Sequence, residues 1–446
     1  MTNTNQPSFL YKIQRFLHLT IKSTFVRNVA IVATGTAGAQ AIAMAFAPIL
    51  TRLYGPEVFG LLGIFKSVLG VVTPIAALAY PIAIVLPKED NEAKGIVRLS
   101  SQLALCIAGM ITGVLLVTGD WLVELLNLYA ISAFILLIPL TMLFSAGMQI
   151  AKQWLIRKKL FRITARVAVV QALILNSAKT GFGLFNPVAA TLVILSTAGT
   201  ALNFLMLAFW AKKTEAQNVR EYYPHSKQSQ WELAKKYYDF PIYRAPQGFI
   251  NAVSQSLPVL MLAAFFGPAS AGFYALCQKV LNLPGQLIGQ SVAQVFYPRI
   301  VEAEHRGENL TLLIVKATLS LAAVGFIPFT LVVAFGPWLF GFVFGEEWVI
   351  AGEYARWLAL WTFWGFINRP SVASIPVLRM QGMLLILEIL NVLFRAVSLI
   401  VGFYVFKSDL WAIFLYSIAG VIFNLSLIIM TICKSNYGMA SDKPLS

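Results

Sequence analysis

Long apolar runs follow one another along the chain, separated by short polar or basic stretches. Each has roughly the 20 residues that a helix needs to cross a bilayer. Lipid offers no partner to backbone polar groups, so a spanning segment is a helix or a strand of a closed barrel. These runs do not alternate polar with apolar, and they read as helices. They predict twelve spans, at 25–50, 58–86, 96–118, 122–148, 164–182, 187–211, 245–266, 271–297, 310–335, 349–368, 382–406 and 409–433. Tyr54-Gly55-Pro56, Phe185-Asn186-Pro187, Gly267-Pro268 and Gly336-Pro337 mark turns between them. Ahead of the first run, residues 1–24 place Phe9, Leu10, Ile13, Phe16, Leu17 and Ile21 at helical spacing among Lys12, Arg15 and Lys22. That pattern suits a basic amphipathic helix on the membrane surface; the alternative is a solvated tail.

Composition agrees with a membrane protein. Of 446 residues, 58% are hydrophobic and 12% charged, where soluble domains carry about 25% charged residues. The net charge of +15 has a membrane explanation and calls for no nucleic acid. With the N-terminal tail and every second loop on one side, that side holds 26 of the 34 Lys and Arg residues, and the opposite loops hold only Arg52 and Lys407. The positive-inside bias then puts both termini in the cytoplasm. The most basic loops, Lys152 to Arg166 and Lys212 to Arg244, would face anionic membrane lipids or serve purely as topology signals. The second links two halves. The organisation expected is a cytoplasmic segment 1–24, a six-helix bundle 25–211, a linker 212–244, a second bundle 245–433 and a tail 434–446. Cys106, Cys277 and Cys433 have neither pair nor metal spacing, and His18, His225 and His305 fall outside the spans. No metal site, cofactor or catalytic residue is expected.

The halves share one motif. Gly55, Pro56 and Gly60 recur as Gly267, Pro268 and Gly272, and a lysine follows each, Lys66 and Lys279. Six spans separate the copies, so they share an orientation and the axis relating them runs along the membrane normal. Such a repeat argues for a transporter with a cavity between its halves.

Polar residues within the spans mark that cavity. A charge in lipid costs about 3 kcal/mol or more, so Lys66, Lys279, Arg356 and Arg395 should face a cavity or a partner. Lys179 and Lys316 lie near span ends and are expected to snorkel. Lys279, Asn282, Gln286, Gln290 and Gln294 form one stripe along the eighth span. The second span carries Gly63, Lys66, Gly70, Thr73, Ala77 and Tyr80, and the seventh Gln247, Asn251, Ser254 and Gln255. Hydrogen bonding between helices is the other use for such stripes. One carboxylate, Glu388, lies well inside a span, with Arg395 two turns on. The two are expected to interact, as a structural pair or as a protonatable coupling site. The excess of cations favours an anionic substrate.

The stretch from Thr51 to Gly60, TRLYGPEVFG, resembles the first-loop motif of polysaccharide-unit flippases of the Wzx type. So do PIAIVLP at 81–87 with the acidic residues that follow, Asp239-Phe240-Pro241, and residues 266–298. These flippases share a superfamily with multidrug exporters and the lipid II flippase. The resemblance implies an all-α membrane protein, two pseudo-symmetric six-helix bundles around a central cavity lined by helices 1, 2, 7 and 8, and alternating access. It implies an undecaprenyl-diphosphate-linked oligosaccharide as substrate, in O-antigen or lipopolysaccharide assembly, with polymerase and chain-length machinery as further partners. On this reading Lys66 and Lys279 attract the diphosphate, with Arg52 and Arg356 as further cations. Asn282, Gln286, Gln290, Gln294, Asn251 and Gln255 meet the sugar.

A cation-coupled multidrug exporter of the same fold is the alternative. It would need several carboxylates in the first half, where spans 1 to 6 have none well inside. A polymerase or ligase would need a large outer loop with catalytic residues. The longest outer segment, about 336–350, offers Glu346 and Glu347 without His or Arg.

Overall fold

The computed structural model describes residues 24–125, 129–217, 229–286 and 290–441. They are helical almost throughout and contain no strand. The proposed N-terminal amphipathic helix lies outside them. The first lobe comprises α1 (Thr24–Ala45), α2 (Ala47–Val72), α3 (Tyr80–Ala83), α4 (Asp90–Leu125), α5 (Leu137–Arg157), α6 (Phe161–Phe185) and α7 (Ala189–Gln217). A short helix, α8 (Gln230–Lys236), precedes the second lobe. That lobe comprises α9 (Ala245–Phe266), α10 (Pro268–Pro284), α11 (Gln290–His305), α12 (Leu310–Phe344), α13 (Val349–Ile367), α14 (Arg369–Ser374), α15 (Gln381–Tyr404) and α16 (Asp409–Ser441). Among the described residues, 8 helical stretches are long and apolar enough to cross a membrane. The other expected spans fall on α1, α5, the α10–α11 pair and α13.

Several boundaries differ from those read in the sequence. The second span is not one helix: a 3-10 turn at Thr73–Ile75 and left-handed backbone at Leu78 and Ala79 bend it before α3. The fourth is displaced, because α4 continues to Leu125 and α5 runs on to Arg157. Lys152 and Arg157 thus belong to a helix whose charged end reaches past the apolar zone. The eighth is described as α10 and α11, and residues 287–289 between them lie outside the described set. Gly336-Pro337 makes no turn; it sits inside α12, and the turn falls at Gly345, where φ is 113°. Packing decides this. A Cβ on Gly336 would lie 2.5 Å from the Gly352 carbonyl, and one on Gly352 2.4 Å from the Gly336 carbonyl. Glycine here lets α12 and α13 meet backbone to backbone.

Within the first lobe α1 packs on α6 and α5 on α7; within the second, α12 packs on α13 and α15 on α16. Asp409 ties three helices of the second lobe, accepting from Tyr354 Oη at 2.6 Å and Ser270 Oγ at 2.8 Å. The linker is strapped to the basic end of the first lobe. Leu233 of α8 is buried and fills the space beside Gly95. Lys236 Nζ pairs with Glu92 at 2.5 Å, and Tyr80 Oη donates to the Ala234 carbonyl at 3.1 Å.

Arg157 closes the turn after α3. Its guanidinium donates to the carbonyls of Pro87 at 2.5 Å, Lys88 at 3.2 Å and Ile84 at 3.3 Å, and meets Asp90 at 3.0 Å. Lys158 joins the same carboxylate. Replacing Arg157 with alanine would strand these carbonyls, at a cost of about 1–3 kcal/mol. The expected result is a melting temperature several degrees lower for the detergent-purified protein. An unshifted melting curve would show that solvent satisfies the turn.

Candidate functional site

The two copies of the Gly-Pro motif pack against each other. Gly55 and Gly267 both have left-handed φ, 65° and 90°, with extended ψ, a conformation that favours glycine. Each releases a helix that begins with proline. A Cβ on Gly60 would stand 1.7 Å from the Pro268 carbonyl, and one on Gly272 would stand 2.1 Å from the Pro56 carbonyl. The contact is reciprocal: Pro56 meets Gly272 while Gly60 meets Pro268. A two-fold relation between equivalent patches produces this pairing. The repeat in the sequence is therefore the seam between the lobes.

Further contacts lock this end. Thr51 Oγ1 donates to the Phe344 carbonyl at 3.0 Å, and Trp348 Nε1 donates to the Thr51 carbonyl at 3.1 Å. Arg52 Nη2 donates to the Phe342 carbonyl at 2.7 Å. The Trp348 ring meets Phe59 of one lobe edge-on at 5.3 Å and Phe273 of the other at 6.0 Å. Arg52 thus bridges the lobes at the seam.

Three lysines gather below it. Gly63 of α2 faces Ala275 of α10, 3.5 Å from its would-be Cβ to the alanine Cβ. One turn farther, Lys66 and Lys279 leave the same two helices. Both are exposed, and Lys279 Nζ donates to the Ala43 carbonyl at 3.3 Å. Lys179 of α6 is only 7% exposed and feels the charges of both Lys66 and Lys279. Lys66 and Lys279 also feel each other. Among the described residues, none of the three forms an ion pair. The site therefore brings together three lysines from both lobes, with no ion pair to any of them among the described residues.

Lys179 was expected to snorkel, and it does not. Helix α6 extends to Phe185, so the lysine lies more than a turn inside its end. Tyr54, next to the seam glycine, donates its hydroxyl to the Lys179 carbonyl at 2.7 Å, and its ring covers Gly183. The seam motif thereby positions α6. The signal in the sequence was Asn176, one turn before Lys179 and also buried.

The polar stripe of the eighth span separates into two faces. Gln286 turns toward the first lobe, accepting from Gln40 Nε2 at 3.3 Å. Asn282 turns into the second lobe and begins a chain. Its Nδ2 donates to Gln278 Oε1 at 2.6 Å, Gln278 donates to Tyr274 Oη at 3.0 Å, and Tyr274 meets Tyr416 at 3.1 Å. Gln290 and Gln294 lie on α11, their side chains outside the described set. On α9, Gln255 donates to Asn251 at 3.0 Å and both are exposed. Arg356 does not join the lysines. It pairs with Glu353 at 3.2 Å and donates to the Ala334 carbonyl at 3.2 Å.

Glu388 and Arg395 line one cavity but form no ion pair among the described residues. Seven residues of helix put their Cα atoms about 10 Å apart. The guanidinium has other partners: the Tyr416 hydroxyl, and the rings of Trp361 at 4.1 Å and Tyr416 at 4.0 Å. Aromatic faces hold a desolvated cation well.

Comparison with known proteins agrees with this architecture. Over residues 49–353 the chain matches the family described as polysaccharide biosynthesis protein. It is 24% identical over 344 residues to the succinoglycan biosynthesis transport protein ExoT of Rhizobium meliloti (strain 1021), a match covering 73% of this chain and 63% of that one. The chain thus spans less than two thirds of that relative's length. Among solved structures, an inward-facing multidrug resistance MATE family transporter of the MOP superfamily superposes with a TM-score of 0.66 at 12% identity, covering 94% of this chain and 99% of that one. The lipid II flippase MurJ in an inward closed conformation gives 0.64 at 12% identity, covering 94% of each. Helical through nearly all of its described residues and joined across two lobes at a Gly-Pro seam, the chain belongs to the polysaccharide biosynthesis protein family.

Proposed function

We propose that the protein is a flippase. It carries an undecaprenyl-diphosphate-linked oligosaccharide from the cytoplasmic to the periplasmic leaflet of a bacterial inner membrane, by alternating access, for export of a surface polysaccharide. The observation that carries this reading is the group of Lys66, Lys179 and Lys279, contributed by both lobes below the seam and without an ion pair among the described residues. A diphosphate supplies the missing negative charge. Charge-assisted hydrogen bonds to it are about twice as strong as neutral ones. Lysines hold an anion as point charges on flexible stems, which suits a site that must also release. The basic bias supports cytoplasmic termini, so the seam is the periplasmic gate and this conformation is closed on that side. Arg52 belongs to the gate. On this reading Gln286, Asn251 and Gln255 meet sugar hydroxyls. The O-antigen reading is one instance of this function; a relative named for succinoglycan transport supports exported polysaccharides more broadly. A cationic drug would be repelled by the same lysines, which disfavours the multidrug reading.

The test is Lys66→Ala, Lys279→Ala and the double variant at matched membrane levels, read out as surface polysaccharide and as labelling of cysteines placed at 66 and 279. Each single variant should lower export about tenfold and the double more steeply, with both positions open to aqueous reagents. Normal export by the double variant, or two unreactive cysteines, would put the anion site elsewhere.

A further inference from the structure

The second lobe contains a cavity of about 290 Å³, lined by polar and apolar residues, that the lysine site does not use. It is at the small end of ligand pockets, which run from about 300 to 1,000 Å³, and has room for one ring-sized polar molecule. Asn282 and Gly285 stand at the C-terminal end of α10, and Gln286, the next residue, faces the first lobe. That end of the cavity therefore lies one residue away from a contact with the first lobe. Its lining is mixed: Asn368, Arg369, Glu388, Asn391, Arg395 and Asn424 stand among apolar residues such as Phe366 and Leu384, with the Trp361 indole on one side.

Three lining atoms lack a partner: Asn368 Oδ1, Asn391 Oδ1 and Arg395 Nε. Asn368 is 2% exposed, and its amide nitrogen is already committed to Asn424 Oδ1 at 2.9 Å. These three atoms have almost no accessible surface as the lining stands, so a guest reaches them only if the side chains rotate toward it; orphaned buried acceptors are costly, and a guest that supplies donors would relieve that cost. Two arginines on the wall disfavour a metal cation, and the amides disfavour an acyl chain. Acceptors, donors and an aromatic face together match a ring bearing several hydroxyl groups.

We infer that this cavity is a subsite for one sugar ring of the transported unit, away from the diphosphate, and that it selects which unit is carried. The inference rests on the flippase reading. In it the Asn391 and Asn368 oxygens accept from hydroxyls, Arg369 donates to a ring or carboxyl oxygen, and Glu388 accepts from a hydroxyl. Arg395 is a positioning residue. Held by Trp361 and Tyr416, it ends the hydrogen-bonded chain that runs from Asn282. A hydrogen-bonding site of this kind discriminates against units lacking the matching hydroxyl more strongly than an apolar site would.

The experiment uses two strains that depend on this chain for export. One builds the complete lipid-linked unit; the other lacks the later glycosyltransferases and builds a unit of a single sugar. Asn391→Leu and Arg369→Gln are compared with the parent at matched membrane levels. Arg369 is exposed, so its variant carries the test if Asn391→Leu fails to accumulate. Export of the complete unit should fall about tenfold and that of the single-sugar unit less than twofold. An equal fall for both units, or no fall for the complete one, overturns the subsite. The Lys66→Ala/Lys279→Ala variant, run alongside, should lower both. If it lowers neither, the diphosphate reading fails independently of the cavity.

Discussion

Replacing Gly60 with leucine is expected to abolish export, and so is Gly272→Leu. At each position even a Cβ would fall 1.7 Å or 2.1 Å from a carbonyl oxygen of the opposite lobe. The clashing atoms are backbone atoms of a helix start, so no side-chain rotation relieves them. The lobes must separate where Pro56 and Pro268 now meet, and with them go the Thr51, Arg52 and Trp348 contacts. Overpacking inside one lobe costs typically about 1–3 kcal/mol. Here the cost falls on one of two conformations, and alternating access needs both. A penalty of roughly 5 kcal/mol or more on the closed seam would reverse the balance of the two states. A cysteine at position 66 should then react more with an impermeant maleimide added from the periplasmic side. Gly109→Leu is the matched control, since nothing lies within 4 Å of a Cβ there. If Gly60→Leu exports normally, or if Gly109→Leu is equally damaging, the seam is not a gate.

What the sequence made legible follows from the forces involved. The spans were readable because lipid demands long apolar helices, and the seam because the Gly-Pro turn and the glycine that follows it recur at one offset in both halves. The Gly336-Pro337 turn misled for the same reason. A glycine used for close packing against Gly352 looks like one used for a turn, and only the partner helix tells them apart. The site was partly visible. Lys66 and Lys279 declared themselves by following the repeat. Lys179 did not, because its helix end was misplaced and because its neighbours come from two other helices. The Glu388–Arg395 pair failed through competition: Trp361 and Tyr416 come from separate helices, and their claim on the guanidinium leaves no periodic trace on α15.

Replacing Lys179 with methionine is expected to raise stability and nearly eliminate transport. Lys179 is buried, has no ion pair among the described residues, and shares its surroundings with two further cations. Such a group is unfavourable twice over, through lost hydration and through repulsion. Substituting an apolar side chain of similar length removes both penalties, and replacing buried charge in this way is often stabilising by about 1–4 kcal/mol. The melting temperature of the detergent-purified variant should therefore rise. Flipping should fall, on the order of a hundredfold, because the buried cation contributes through a low dielectric where each contact to an anion is strong. Opposite signs for stability and activity are the mark of a residue kept for function against its cost to the fold. A residue that served only to pack α6 against Tyr54 would behave otherwise. Its bond to Tyr54 runs through the backbone carbonyl, which methionine retains, so packing alone predicts little change in either measurement. Lys179→Arg separates charge from shape: it should keep a measurable fraction of transport, whereas Lys179→Met should not. Export by Lys179→Met at the parent's rate would remove this lysine from the anion site and leave Lys66 and Lys279 to form it alone.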